Sequence, residues 1–94
     1  MEDMLRNLEA IIHERKANPS AGSYTSSLFE QGITRVAQKV GEEAVEVVVA
    51  ALGQAREEQL GELADLFYHT LVLMAQLDIT LDDVNGVLEA RHRK

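Results

Sequence analysis

Two short acidic segments, Glu42-Glu43-Ala44-Val45-Glu46 and Glu62-Leu63-Ala64-Asp65, each lie inside a strongly apolar stretch. Carboxylates in such surroundings repel one another and resist desolvation. A fold that accepts them must solvate them or give them a counter-charge. Fifteen residues separate Glu46 from Glu62, enough for a helix to end, turn and start back. The most economical compensation is a hard divalent cation, held by oxygen ligands and shared with a phosphate-bearing substrate.

The apolar pattern around these acids predicts helices. Over residues 33–53, Ile33, Val36, Ala37, Val40, Ala44, Val47, Val48 and Ala51 recur on one helical face. The four valines among residues 45–49 also suit a strand. A run of about 20 residues without a turn signal is too long for an ordinary strand, which decides for a helix stopped by Gly53. Residues 57–78 predict a second long helix, apolar nearly all round from Leu60 to Leu77. Such a helix must be covered on most sides. Three other helices from one small chain do not suffice, so a homodimer is expected.

The flanks complete an all-α, single-domain reading of residues 1–94. Met4, Leu5, Leu8, Ile11 and Ile12 place an amphipathic helix over residues 2–17, broken by Asn18-Pro19 and the small residues that follow. A short connecting helix is expected from Tyr24 to Gln31, with Ser23 as N-cap and Gly32 as separator. Thr80-Leu81-Asp82-Asp83 reads as the capped start of a last helix reaching His92. The expected architecture is an antiparallel bundle of four main helices plus the short connector.

Composition excludes several functions. Aromatic residues are only 4% of the chain, so the core is aliphatic, and there is no cysteine for disulfides or thiolate metal sites. The net charge is −7, and no Lys or Arg occurs between Arg56 and Arg91. A nucleic-acid binder needs the opposite, a basic face. Charges interrupt every apolar run before membrane-spanning length, and the acidic start Met1-Glu2-Asp3-Met4 lacks the features of a secretion signal. The expectation is a soluble cytoplasmic protein without membrane or nucleic-acid partners.

Spacing turns the acids into a constellation. Glu42 and Glu46 are four apart and Glu43 and Glu46 three apart, so they share a helical face. On the next helix Glu62 and Asp65 are three apart, and His69 follows one turn later. Antiparallel pairing brings both faces together, and four or five carboxylates then line one pocket. All-oxygen ligation favours Mg²⁺ or Mn²⁺ over zinc. The competing reading is a solvated helix face on which Lys39 pairs with Glu43. Lys39 and Arg35, one and two turns before the acids, either contact phosphate or balance charge. His69 is either a hydrogen-bonded core residue or a substrate contact. Ser23-Tyr24-Thr25-Ser26-Ser27 is either a phosphate or ribose cradle or an ordinary cap. A ferritin-like di-iron site wants two Glu-x-x-His motifs on core helices. Only Glu89–His92 is present, at the chain's end.

Four stretches together resemble a known family: residues 23–32, Ala37-Gln38-Lys39-Val40-Gly41-Glu42-Glu43-Ala44-Val45-Glu46, Glu62-Leu63-Ala64-Asp65-Leu66-Phe67-Tyr68-His69, and Leu88-Glu89-Ala90-Arg91-His92. The paired acids alone resemble the wider MazG-like all-α nucleoside triphosphate pyrophosphohydrolases. With the Ser-Tyr-Thr, Lys-x-Gly-Glu-Glu and Tyr-His flanks, the chain resembles the phosphoribosyl-ATP pyrophosphohydrolases of histidine biosynthesis. The resemblance implies a MazG-like fold, a homodimer and Mg²⁺-dependent hydrolysis of phosphoribosyl-ATP to phosphoribosyl-AMP and pyrophosphate, with Mn²⁺ as the alternative ion. It implies metal binding by Glu43, Glu46, Glu62 and Asp65, with Glu42 left to orient or deprotonate water. Lys39 and Arg35, with Tyr24, Thr25 and His69, are the expected substrate contacts. The alternatives are a house-cleaning pyrophosphohydrolase of the same fold and a non-catalytic helical dimerisation module.

Overall fold

The computed structural model describes residues 3–93. Among them are five helices and no strand: α1 (Met4–Ala17), α2 (Tyr24–Gln31), α3 (Ile33–Gly53), α4 (Arg56–Gln76) and α5 (Leu81–His92). The all-α class and the order of elements match the expectation.

Local chemistry sets most boundaries. Helix α1 begins at Met4 rather than residue 2, because Asp3 is extended and its carboxylate accepts the Leu5 N–H at 3.0 Å. Glu2 lies outside the described residues. The Ser23 hydroxyl accepts the Ser26 N–H at 3.1 Å and starts α2. Gly32 stands at φ 95°, a conformation side chains disfavour, so α2 and α3 are separate helices although contiguous in sequence. Thr80 and Asp83 form the reciprocal capping box that opens α5, with bonds of 3.1 and 2.9 Å.

Helix α4 runs over Arg56–Gln76 rather than 57–78. It ends in a Schellman turn: Ile79 N–H reaches Met74 O at 2.9 Å and Asp78 N–H reaches Ala75 O at 3.3 Å. Asp78 takes the left-handed position, φ 57°, where glycine is usual. Lys16 of α1 supports it, donating to Ala75 O at 2.7 Å and to Asp78 Oδ1 at 3.2 Å.

Helices α3 and α4 form the central antiparallel pair, joined by Gln54 and Ala55. The Gln59 amide donates to Ala50 O and Gln54 O, each at 3.1 Å, and closes the end of α3 at this turn. Helix α1 packs on α4, and α2 bridges α1, α3 and α4. The core therefore sits at the end of the pair remote from the turn. It consists of Ile12, Leu28, Val36, Leu71, Val72 and Ala75, flanked by Leu8, Phe29 and Met74. Each larger side chain buried in this way contributes roughly 1.5–3 kcal/mol.

The buried stripe of α3 differs from the expected face. Val36, Glu43 and Ala50 are buried, with Val40 and Val47 half-buried between them. Ile33, Ala37, Val48 and Ala51 are exposed. Helix α3 is apolar on more than one side, so periodicity alone does not choose the side that α4 covers. The all-round apolar α4 is likewise uncovered near the turn, where Leu60 is 54% and Phe67 48% exposed. Helix α5 buries no residue. Its start is tethered to α1 by Arg6–Asp82 at 2.6 Å and by Leu81 N–H to Glu9 at 2.8 Å.

Candidate active site

The antiparallel register places the acids of α3 opposite those of α4. Ligand oxygens of Glu43, Glu62 and Asp65 lie within 4.8 Å of one another. Glu43 is buried, at 8% exposure, because it occupies the stripe of α3 that packs on α4. Its Oε1 is 3.4 Å from Lys39 Nζ. Its Oε2, like Oε2 of Glu62, is buried with no hydrogen-bond partner among the described residues. Two buried carboxylate oxygens without donors are costly. A hard cation ligated by oxygen satisfies both, so the donor set fits Mg²⁺ or Mn²⁺.

Glu46 stands outside this trio but beside Glu62. The Glu62 pKa is pushed up from 4.5 to about 7, first by a hydrogen bond to Glu46. That bond exists only when one of the two carboxyls carries a proton, since two carboxylates have no donor between them. Desolvation, then the charges of Glu46, Asp65 and Glu43, push in the same direction. A cavity of about 330 Å³ opens here, lined by Glu46, Val49, Gln54 and Glu62.

The remaining predicted residues divide into two groups. Glu42 is exposed and engages cations: Arg35 at 3.5 Å and Lys39 at 3.9 Å. Lys39 thus bridges Glu42 and the buried Glu43, and Arg35 stays on the outer side. Tyr24, Thr25 and His69 meet where α2 docks on α4. Tyr24 Oη lies 2.9 Å from His69 Nε2, and Thr25 Oγ1 is hydrogen-bonded to Tyr68 Oη. The neighbouring serines are used internally. Ser23 caps α2, Ser26 Oγ accepts the Ser20 N–H at 3.0 Å, and Ser27 Oγ donates to Tyr24 O at 2.6 Å. Of the two readings of residues 23–27, the serines serve as cap and internal bonds, and Tyr24 and Thr25 are the pair that reaches α4.

Sequence reasoning misses Gln54 and Val49 as cavity residues. The signal available is the turn itself, which lies about two helical turns beyond Glu46. The Tyr-His motif marks Tyr68 without revealing Thr25 as its partner. A separate cavity of about 540 Å³ along α5, between Asn85 and Arg93, shares no residue with the site carboxylates.

A family profile described as Phosphoribosyl-ATP pyrophosphohydrolase matches residues 5–92. The chain belongs to this family. The phosphoribosyl-ATP pyrophosphohydrolase match spans all of the carboxylates, cations and hydroxyls of the site. Among relatives, the chain is 52% identical over 91 residues to the phosphoribosyl-ATP pyrophosphatase of Metallosphaera sedula, covering 97% of this chain and 98% of that one. It is 51% identical over 90 residues to the phosphoribosyl-ATP pyrophosphatase of Geotalea daltonii, covering 96% and 85%. It also matches the histidine biosynthesis bifunctional protein HisIE of Halalkalibacterium halodurans, 49% identical over 90 residues. There it covers 96% of this chain and only 43% of the bifunctional protein.

Proposed function

We propose that this chain hydrolyses phosphoribosyl-ATP to phosphoribosyl-AMP and pyrophosphate, the second step of histidine biosynthesis, with Mg²⁺ (or Mn²⁺) as cofactor. The convergence of Glu43, Glu62 and Asp65, with two buried oxygens lacking donors, carries the reading. The names of the relatives supply the substrate.

Glu43, Glu62 and Asp65 would hold the ion, with Glu46 the carboxylate next to Glu62. Bound there, the ion would supply positive charge to the phosphate oxygens and to the leaving pyrophosphate. Glu46 borders the cavity beside Glu62 and is not tied to a cation among the described residues. It is therefore better placed than Glu42 to take a proton from the attacking water. Glu42, tied to Arg35 and Lys39, instead orients those cations, which supply fixed positive charge toward the phosphates.

The active form is proposed to be a homodimer. Val45, Val48, Val49 and Leu52 of α3 are 54–83% exposed, beside Leu60, Leu63 and Phe67 of α4. An apolar surface of this kind marks an interface. None of the described helices is long and apolar enough to cross a membrane. Together with the proposed metabolic role, this supports a cytoplasmic setting.

Pyrophosphate release from phosphoribosyl-ATP in Mg²⁺ tests the reading, with Glu62→Gln as the critical variant. Turnover by the parent protein and a loss of about 10²-fold or more in the variant are expected. Full activity in Glu62→Gln would refute the site. Turnover of ordinary nucleoside triphosphates but not of phosphoribosyl-ATP would refute the substrate.

A further inference from the structure

His69 is 5% exposed yet fully engaged. Its Nδ1 lies 2.7 Å from the backbone carbonyl of Asp65, one helical turn back. A carbonyl only accepts, so Nδ1 carries the proton of that bond. In the neutral imidazole, Nε2 is then an acceptor. The atom facing it is Tyr24 Oη at 2.9 Å, and the hydroxyl proton of Tyr24 therefore points at His69. The lone pairs are what the Tyr24 oxygen has left to offer. Its ring is 52% exposed and is braced against Tyr68, with ring centres 6.0 Å apart and 26° between planes.

We infer that Tyr24 contacts the substrate as a hydrogen-bond acceptor, reading a ribose hydroxyl rather than a phosphate oxygen, and that His69 is the positioning residue that sets this polarity. This rests on the metal site proposed above and adds to it the orientation of the nucleoside. An α-phosphate held at Glu43, Glu62 and Asp65 would carry its ribose as the covalent neighbour. Tyr24 is bonded to His69, which lies one turn of α4 beyond Asp65 and bonds back to its carbonyl, so the Tyr24 hydroxyl stands beside the carboxylates, displaced along α4 by that turn. A phosphate oxygen brought to the same lone pairs would find no donor there and would be repelled. A ribose hydroxyl supplies the missing proton.

The test is kinetic, at pH 8 in saturating Mg²⁺. Phosphoribosyl-ATP is compared with the analogues made from 2′-deoxy-ATP and 3′-deoxy-ATP. In the parent protein one analogue is expected to show KM raised about tenfold with a smaller change in kcat. In Tyr24→Phe that ratio is expected to collapse toward one. The imidazole nitrogen shifts of His69, read by ¹⁵N NMR on the metal-free protein, give a measurement independent of turnover. They are expected to show protonated Nδ1 and bare Nε2, with Nε2 shifting in Tyr24→Phe. Equal KM for all three substrates in the parent protein would overturn the inference, as would discrimination that survives in Tyr24→Phe or a proton on Nε2. No turnover of phosphoribosyl-ATP by the parent protein would overturn the proposed reaction along with it. Turnover without discrimination would overturn this inference alone.

Discussion

The two halves of the α3–α4 pair are built from similar residues and meet different fates. At the end remote from the turn, Val36, Leu71, Val72 and Ala75 are buried because α1 and α2 lie against them. At the turn end, Val48, Val49, Leu52 and Leu60 are just as apolar and are more than half exposed. Valine content does not separate the halves; the presence of covering helices does. The carboxylates sit between the covered and uncovered regions. Glu43 and Glu62 Oε2 are deep enough to lose water, while Glu46 and Asp65 still meet solvent. A site at that boundary combines a low dielectric, which would strengthen binding of the proposed ion, with open access from solvent.

The largest effect that follows is on stability. Leu71→Ala, in the covered half, is expected to cost about 2–5 kcal/mol by denaturant unfolding. Phe67→Ala, in the uncovered half, is expected to cost under about 0.5 kcal/mol in dilute monomer. The same change weakens self-association, which sedimentation reads. An equal cost for both in the monomer would break the contrast.

Next comes the pH dependence of the boundary site. A carboxyl with a raised folded pKa keeps its proton after the unfolded chain has lost it. The contribution of Glu62 is therefore fully present below about pH 4.5, is lost as pH rises toward about 7, and stays lost above that. Mg²⁺ competes with that proton, so its stabilising effect is expected to be small at pH 5.5 and large at pH 8. A hundredfold excess over Kd at pH 8 is worth about 2.7 kcal/mol. Thermal melts with and without Mg²⁺ check this, and Glu62→Gln is expected to flatten the pH dependence. A Mg²⁺ shift as large at pH 5.5 as at pH 8 would sharpen the site differently, by removing Glu62 from it.

A smaller effect than that of Leu71→Ala belongs to the joint between α4 and α1. Asp78→Val places a β-branched residue at φ 57° and removes the Lys16 contact. It is expected to lower stability by about 1–2 kcal/mol in a thermal melt.

Much of this is legible in the residues themselves, for local reasons. Ser23, Gly32 and the Thr80–Asp83 box act within one turn of the chain, so their residue types suffice. The spacing of Glu42, Glu43, Glu46, Glu62 and Asp65 gives two helical faces, and a turn at Gly53–Gln59 makes them meet. What stays hidden depends on distant partners. Asp78 ends α4 in a glycine-like conformation because Lys16 reaches it from α1. Which face of α3 is buried depends on α4, so periodicity cannot tell that Glu43, and not Glu42, turns inward. The pairing of Tyr24 with His69 spans 45 residues and exists only once α2 has docked. For the same reason it takes the packed pair to single out Glu46, rather than Glu42, as the carboxylate beside the cavity.

The Gln54–Ala55 turn also bears on the order of folding. Glu43, Glu62 and Asp65 are brought together by a single hairpin closure, the cheapest kind of encounter available to a chain. The covered core, by contrast, needs α1 and α4 to find each other across most of the sequence. These three carboxylates are thus set to come together early, ahead of the docking of α1. If they hold the proposed ion, an ion arriving at that stage would act as a clasp on the nascent hairpin and take a part in maturation.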